Sequence, residues 1–340
     1  MPKAELHCHF VSVMRPERLL QLAAKNGVAL KSDSVDTLLD FDNLVDFLDV
    51  FNAAHEVLVA PDDFATVAYE GVRDAVEVGS LKYREYFVNP LNFRARGLSY
   101  GFVMDSIADG LAQAKADFGV GFGLIAAVNR AHGPESAVDL VAEVAANPRD
   151  YVLGIGLDDL TAEGEEAPLR FAEAYELAGR HGLKRTAHVG ETMAASPQNV
   201  VDAIQTLKVD RIDHGYRVVD DAAALAVAQG SGIPFACTPV STRVLSAWPF
   251  DPSHRIARMI AAGLPVTLST DDAVFFRTDI ATEYRDALPP MGLAAGDAKR
   301  LARASFEAAW CDDAEKARYL AQVDAAFLAL DHLLDPEARS

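Results

Sequence analysis

Eight short apolar runs recur along this chain, at residues 4–10, 81–88, 120–128, 151–157, 184–189, 211–215, 234–238 and 265–269. Most are continuous rather than alternating, the pattern of strands buried on both faces, as parallel sheets require. Between them lie stretches with helical spacing, at 18–25, 102–115, 136–146, 169–180, 200–207, 222–228 and 255–262. Gly182, Gly232 and Gly263 each stand between a helical stretch and the next strand, where a helix stop is expected. Ser196 and Asp62 occupy expected N-cap positions. Eight β-α units predict an α/β protein, a (β/α)8 TIM-type barrel. Residues 35–79 add helices after strand 1, and 279–335 add a helical tail. With no linker, repeat or low-complexity segment, 1–340 reads as a single domain. A doubly wound sheet is the alternative, but no glycine-rich phosphate loop follows the first strand.

Charge narrows the partners. A formal net charge of −19 with no Lys/Arg run argues against nucleic acid and anionic membranes, and favours a neutral or cationic small molecule. No apolar run is long enough to span a bilayer. The N-terminus lacks the apolar stretch of a secretory signal, and three sparse cysteines do not make a disulfide framework. A cytoplasmic protein is expected. The added helices leave room for a homo-oligomer.

In such a barrel, chemistry gathers at the C-terminal strand ends. Strand 1 ends in His7-Cys8-His9, strand 5 in His188-Val189-Gly190-Glu191, strand 6 in Asp213-His214-Gly215, and strand 8 leads to Asp271-Asp272. His7 and His9 are two apart on a strand, so both side chains take one face. With His188 and Asp271 they form a three-His, one-Asp set that suits one Zn²⁺ per chain with a position left for water. Such an ion lowers a water's pKa from ~15.7 toward ~7. Each cluster alone has an ordinary reading as a core histidine or a turn aspartate. Four polar clusters at four strand ends of an apolar barrel are costly unless they share a task, so the pattern predicts a metal-dependent hydrolase.

These motifs, Lys3-Ala4-Glu5-Leu6-His7-Cys8-His9, Ala187-His188-Val189-Gly190-Glu191, Arg211-Ile212-Asp213-His214-Gly215 and Ser269-Thr270-Asp271-Asp272, resemble those of the adenosine/adenine deaminase family of the amidohydrolase superfamily. Their order and spacing fit nearly the whole chain. The resemblance implies a barrel that removes the 6-amino group of an aminopurine as ammonia. It implies that His7, His9, His188 and Asp271 hold zinc, and that His214 orients the attacking water and helps take its proton. It further implies that Glu191 donates a proton to purine N1 and that Asp272 bonds N7. A neutral Glu191, with a raised pKa in a dry pocket, is then required.

The chain also departs from the family pattern. Phe10-Val11-Ser12 follows His9 where the family usually has Leu, an acid and Gly. The acid is expected to contact ribose, so its loss points toward a free base. Strand 4 ends in Gly156-Leu157-Asp158-Asp159, closer to the adenine branch, and Gly156 and Asp158 are expected at the substrate. Tyr86-Phe87-Val88-Asn89-Pro90 at strand 2 also looks closer to that branch. The predicted reaction is therefore deamination of adenine or a modified adenine. The alternatives are an adenosine-type nucleoside deaminase, an amidohydrolase for another aminated heterocycle, and a non-catalytic binder on the same barrel. A cytidine-type deaminase is excluded, because its Pro-Cys-x-x-Cys ligand set is absent.

Overall fold

The computed structural model describes residues 1–41 and 44–334. Its eight strands are β1 (Lys3–His9), β2 (Leu81–Val88), β3 (Gly121–Asn129), β4 (Val152–Asp158), β5 (Lys184–Val189), β6 (Arg211–His214), β7 (Phe235–Cys237) and β8 (Val266–Leu268). They pair in parallel in chain order, from β1 through to β8. Past β8 the chain meets β1 again: the His9 N–H donates to the Asp271 carbonyl at 2.9 Å and the Asp271 N–H to that of His7 at 3.1 Å. This junction brings the two ends of the sheet together and sets Asp271 beside both histidines of β1.

The continuous apolar runs are buried as their composition demands. All of β1 is buried, and β2, β3 and β4 are buried apart from one or two residues each. Helices follow the strands and cover the outer face, for example Tyr100–Phe118 after β2 and Gly133–Ala146 after β3. Gly182, Gly232 and Gly263 adopt positive φ at 72°, 66° and 78°, as their positions after helices predicted. The added segments are helical, with Leu44–Glu56 and Pro61–Gly79 before β2, and Ile280–Arg285, Ala295–Ala308 and Asp313–Leu334 after β8. Among the described residues no helix is long and apolar enough to cross a membrane.

Two local expectations differ in detail. Ser196 caps its helix, accepting the Gln198 N–H at 3.2 Å. Asp62 lies two residues past the cap: Ala60 is the cap residue, and the carboxylate of Asp63 accepts its N–H at 2.9 Å. A carboxylate at the third helical position serves the cap's backbone when the cap itself has no polar side chain.

Candidate active site

The predicted strand-end residues converge on one floor. His7 Nε2 lies 3.0 Å from Asp271 Oδ1, His9 Nε2 lies 3.4 Å from the same oxygen, and His9 Nε2 lies 3.2 Å from His188 Nε2. His7, His188, His214 and Asp271 form one group with donor atoms within 4.8 Å of one another, and His9, Asp271 and Asp272 form a second. Asp271 thus belongs to both groups, and His214 stands as close to the cluster as the expected ligands. Phe87 supports the histidines from the barrel interior, its ring centroid 5.1 Å from His7, 5.4 Å from His9 and 5.0 Å from His188.

Two of these side chains are aimed by unusual backbone. His214 has φ +68° and Asp271 φ +65°, in a region that non-glycine residues seldom occupy. Such conformations persist where the surroundings enforce them, and functional sites are the commonest place. Gly215, next to His214, has φ +74°, and a Cβ there would come within 2.4 Å of Phe235.

The electrostatics call for positive charge. Burial alone would lower His9, but the charges of Asp272, Asp271 and Asp158 outweigh it and raise the imidazole to about 10. Burial, reinforced by His7, lowers His188 to about 3. Burial would raise Asp271, yet the neighbouring imidazoles hold it well below the usual carboxylate range. Nε2 of His7, Nδ1 of His9 and Nε2 of His214 are buried without a hydrogen-bond partner. Imidazole and carboxylate donors crowded to about 3 Å, several of them orphaned, fit a divalent cation such as zinc.

Beyond the cluster, Glu191 Oε1 lies 3.8 Å from His214 Nε2, with a quarter of the Glu191 side chain open to the cavity. Burial, then the charges of Asp271 and Glu166, push the Glu191 carboxyl up to about 8. His214 is held neutral by burial. Its Nδ1 faces the hydroxyls of Tyr216 at 3.3 Å and Thr238 at 3.4 Å, so Nε2 points to the floor. Asp272 is buried with Oδ1 unpartnered, and burial, offset in part by His9, raises its carboxyl.

A cavity of about 660 Å³ opens over this floor. Phe41, Phe47 and Phe51 form an apolar wall, and Asn89, Asn129, Asp158, Asp159, Glu165 and Glu166 a polar one. Among the described residues, no lysine or arginine lines it. Asp158 lies 3.8 Å from His9 Nδ1 and accepts both Asn89 Nδ2 contacts at 2.9 Å. Burial raises Asp158 to about 6.

Two expectations about substrate contact change here. Gly156 does not line the cavity. It sits beneath Phe87, where a Cβ would approach Cε1 of that ring to 2.5 Å. Its role is to give Phe87 room under the histidines. Gly156→Ala is accordingly expected to destabilise the fold by about 1–3 kcal/mol through overpacking, read as a lowered Tm; an unchanged Tm would mean the ring has space to move. Val11, at the position where the family's acid is expected, is buried with 3% exposure and does not line this cavity; it lines a small neighbouring pocket with His9, Phe51 and His55.

Sequence reading also passed over Glu166 and Asp213. Glu166 is buried in the loop after β4 and accepts the N–H groups of Gly190 at 2.7 Å and Glu191 at 3.0 Å, and Asn199 Nδ2 at 2.7 Å. It fixes the backbone that carries Glu191. No local signal separates it from its acidic neighbours Glu163 and Glu165. Asp213 stood in view beside His214, but only the register of β5 against β6 shows what it faces.

Eight parallel strands with this polar set at their C-terminal ends define a barrel hydrolase of the amidohydrolase type. The adenosine deaminase family model matches residues 2–326. An adenine deaminase from Cupriavidus taiwanensis is 37% identical over 326 residues, covering 95% of this chain and 91% of that protein. The structure of an adenine deaminase from Arthrobacter aurescens superposes with a TM-score of 0.88 at 29% identity, covering 95% of this chain and 98% of that one. An amidohydrolase from Burkholderia ambifaria with bound zinc gives 0.88 at 30% identity, covering 98% and 92%. The chain belongs to the adenosine deaminase family, and it is a hydrolytic deaminase.

Proposed function

We propose that this protein is a zinc-dependent deaminase of adenine or a modified adenine, yielding the 6-oxopurine and ammonia. The observation that carries the reading is the Glu191 carboxyl placed 3.8 Å from His214 and beside the histidine–aspartate cluster, where burial pushes its pKa up and lowers that of His214. His7, His9, His188 and Asp271 would hold the ion, with His214 adjoining. When bound, zinc would polarise water and make hydroxide available near neutral pH.

The chain's own residues do the rest. Attack at C6 makes that carbon tetrahedral and sends an electron pair to N1. A protonated Glu191 delivers a proton to N1 as the charge develops, which lowers the barrier more than it tightens ground-state binding. His214 has one imidazole nitrogen free to take the water's proton. The C6–N bond then breaks, the amino group leaves with a further proton as ammonia, and C6 becomes a carbonyl. Asp272, with its raised pKa, can donate to N7. Asp158 offers an acceptor to the ring N–H of a free base, which a 9-substituted nucleoside lacks.

The proposal includes a cytoplasmic location, with which the free cysteines Cys8, Cys237 and Cys311 are consistent. The cavity also disfavours phosphate, because among the described residues it is lined by several carboxylates and by no lysine or arginine. The test is ammonia release by zinc-loaded protein from adenine, N6-methyladenine, adenosine and AMP. Turnover of the bases with little from adenosine and none from AMP is expected. Equal turnover of adenosine would sink the base preference and leave the chemistry standing.

A further inference from the structure

We propose that Asp213 is the positioning carboxylate of the metal site, orienting His188 and His7 from behind so that their Nε2 atoms face the ion. The inference rests on the proposed metal site and adds a residue to it. His188 on β5 and Asp213 on β6 are register partners in the parallel sheet. Asp213 Oδ2 lies 3.5 Å from His188 Nδ1, and Oδ1 lies 3.9 Å from His7 Nδ1. These atoms lie on the far side of each ring from the Nε2 atoms that meet at the cluster.

The surroundings leave both Nδ1 atoms dependent on this carboxylate. Neither has a hydrogen-bond partner, and His7, Asp213 and Thr186 are fully buried. Both contacts are longer than a hydrogen bond, so the carboxylate acts on the rings chiefly through its field. A negative charge behind Nδ1 favours the proton there. Each ring then keeps its Nε2 lone pair for a cation. The carboxylate is itself held in place: Thr186 Oγ1 donates to Oδ2 at 2.6 Å, and Arg211 Nε lies 3.9 Å from Oδ1. A fully buried carboxylate is expensive unless its charge is used, and the two imidazoles and Arg211 are what it faces.

The test is zinc affinity, measured by titrating metal-stripped protein against a fluorescent chelator, alongside the Tm of the metal-free protein. Asp213→Asn keeps the shape and removes the charge, and should weaken zinc binding by about 10–100-fold, the usual cost of losing such a partner. Thr186→Val frees the carboxylate and should weaken binding by a smaller factor. Zinc affinity within about twofold of wild type in Asp213→Asn, whether or not Tm falls, would make Asp213 a structural residue only and overturn the proposal. If Asp213→Asn does not fold, Thr186→Val decides on the same reading: weaker zinc binding supports the role and unchanged binding overturns it. A wild-type protein that takes up no zinc would instead sink the metal site on which the inference stands.

Discussion

Glu191→Gln is expected to lower kcat for adenine by about 10²–10⁴-fold, the range that a positioned general acid contributes, with KM changed little. The amide matches the carboxyl in size and can still hydrogen-bond, but it has no proton to give to N1. Binding and catalysis should therefore separate in this variant. The pH dependence follows from the same group. Glu191 must be protonated to act, so its contribution is complete below its pKa and is lost as pH rises through it. Burial and the charges of Asp271 and Glu166 set that value near 8, and a dication at the cluster draws it lower. Wild-type kcat should fall on the alkaline side, and the limb assigned to Glu191 should be missing from the glutamine variant. Near-full turnover by Glu191→Gln would remove this residue from proton transfer.

The second large effect concerns His7. His7→Ala should abolish stoichiometric zinc binding and lower kcat by about 10³-fold or more, because several kcal/mol of charge stabilisation and the activated water are lost together. His7 is fully buried, with Nε2 3.0 Å from Asp271, so its loss also removes a close partner from that carboxylate. Far-UV circular dichroism separates this from unfolding. Zinc content measured on the folded variant gives the answer. Metal retained at wild-type affinity would exclude His7 from the ligand set.

The barrel was legible because its strands are buried on both faces and therefore apolar without alternation, while glycine marks several of the helix ends. The floor of the site was legible because imidazoles and carboxylates at strand ends have few structural reasons to recur there. What remained hidden depends on partners far away in sequence. Glu166 reaches the Gly190 and Glu191 amides across about 24 residues, and nothing near it announces that contact. Gly156 looked like a substrate contact, but its missing Cβ makes room for Phe87, a neighbour known only from the barrel interior. Val11 occupies the position expected to face a sugar, yet the short helical turn Val11–Val13 buries it. Asp213 acquires its role only when β5 and β6 are set in register.

The most direct test of the account is the conversion of adenine by zinc-loaded wild-type protein, with ammonia and the 6-oxopurine quantified in the same reaction. Equimolar ammonia and hypoxanthine, lost on stripping the metal and restored by zinc, are the predicted result. Stoichiometric zinc without any release of ammonia from adenine or its N6-substituted relatives would contradict it, leaving a metal site whose substrate is another ring.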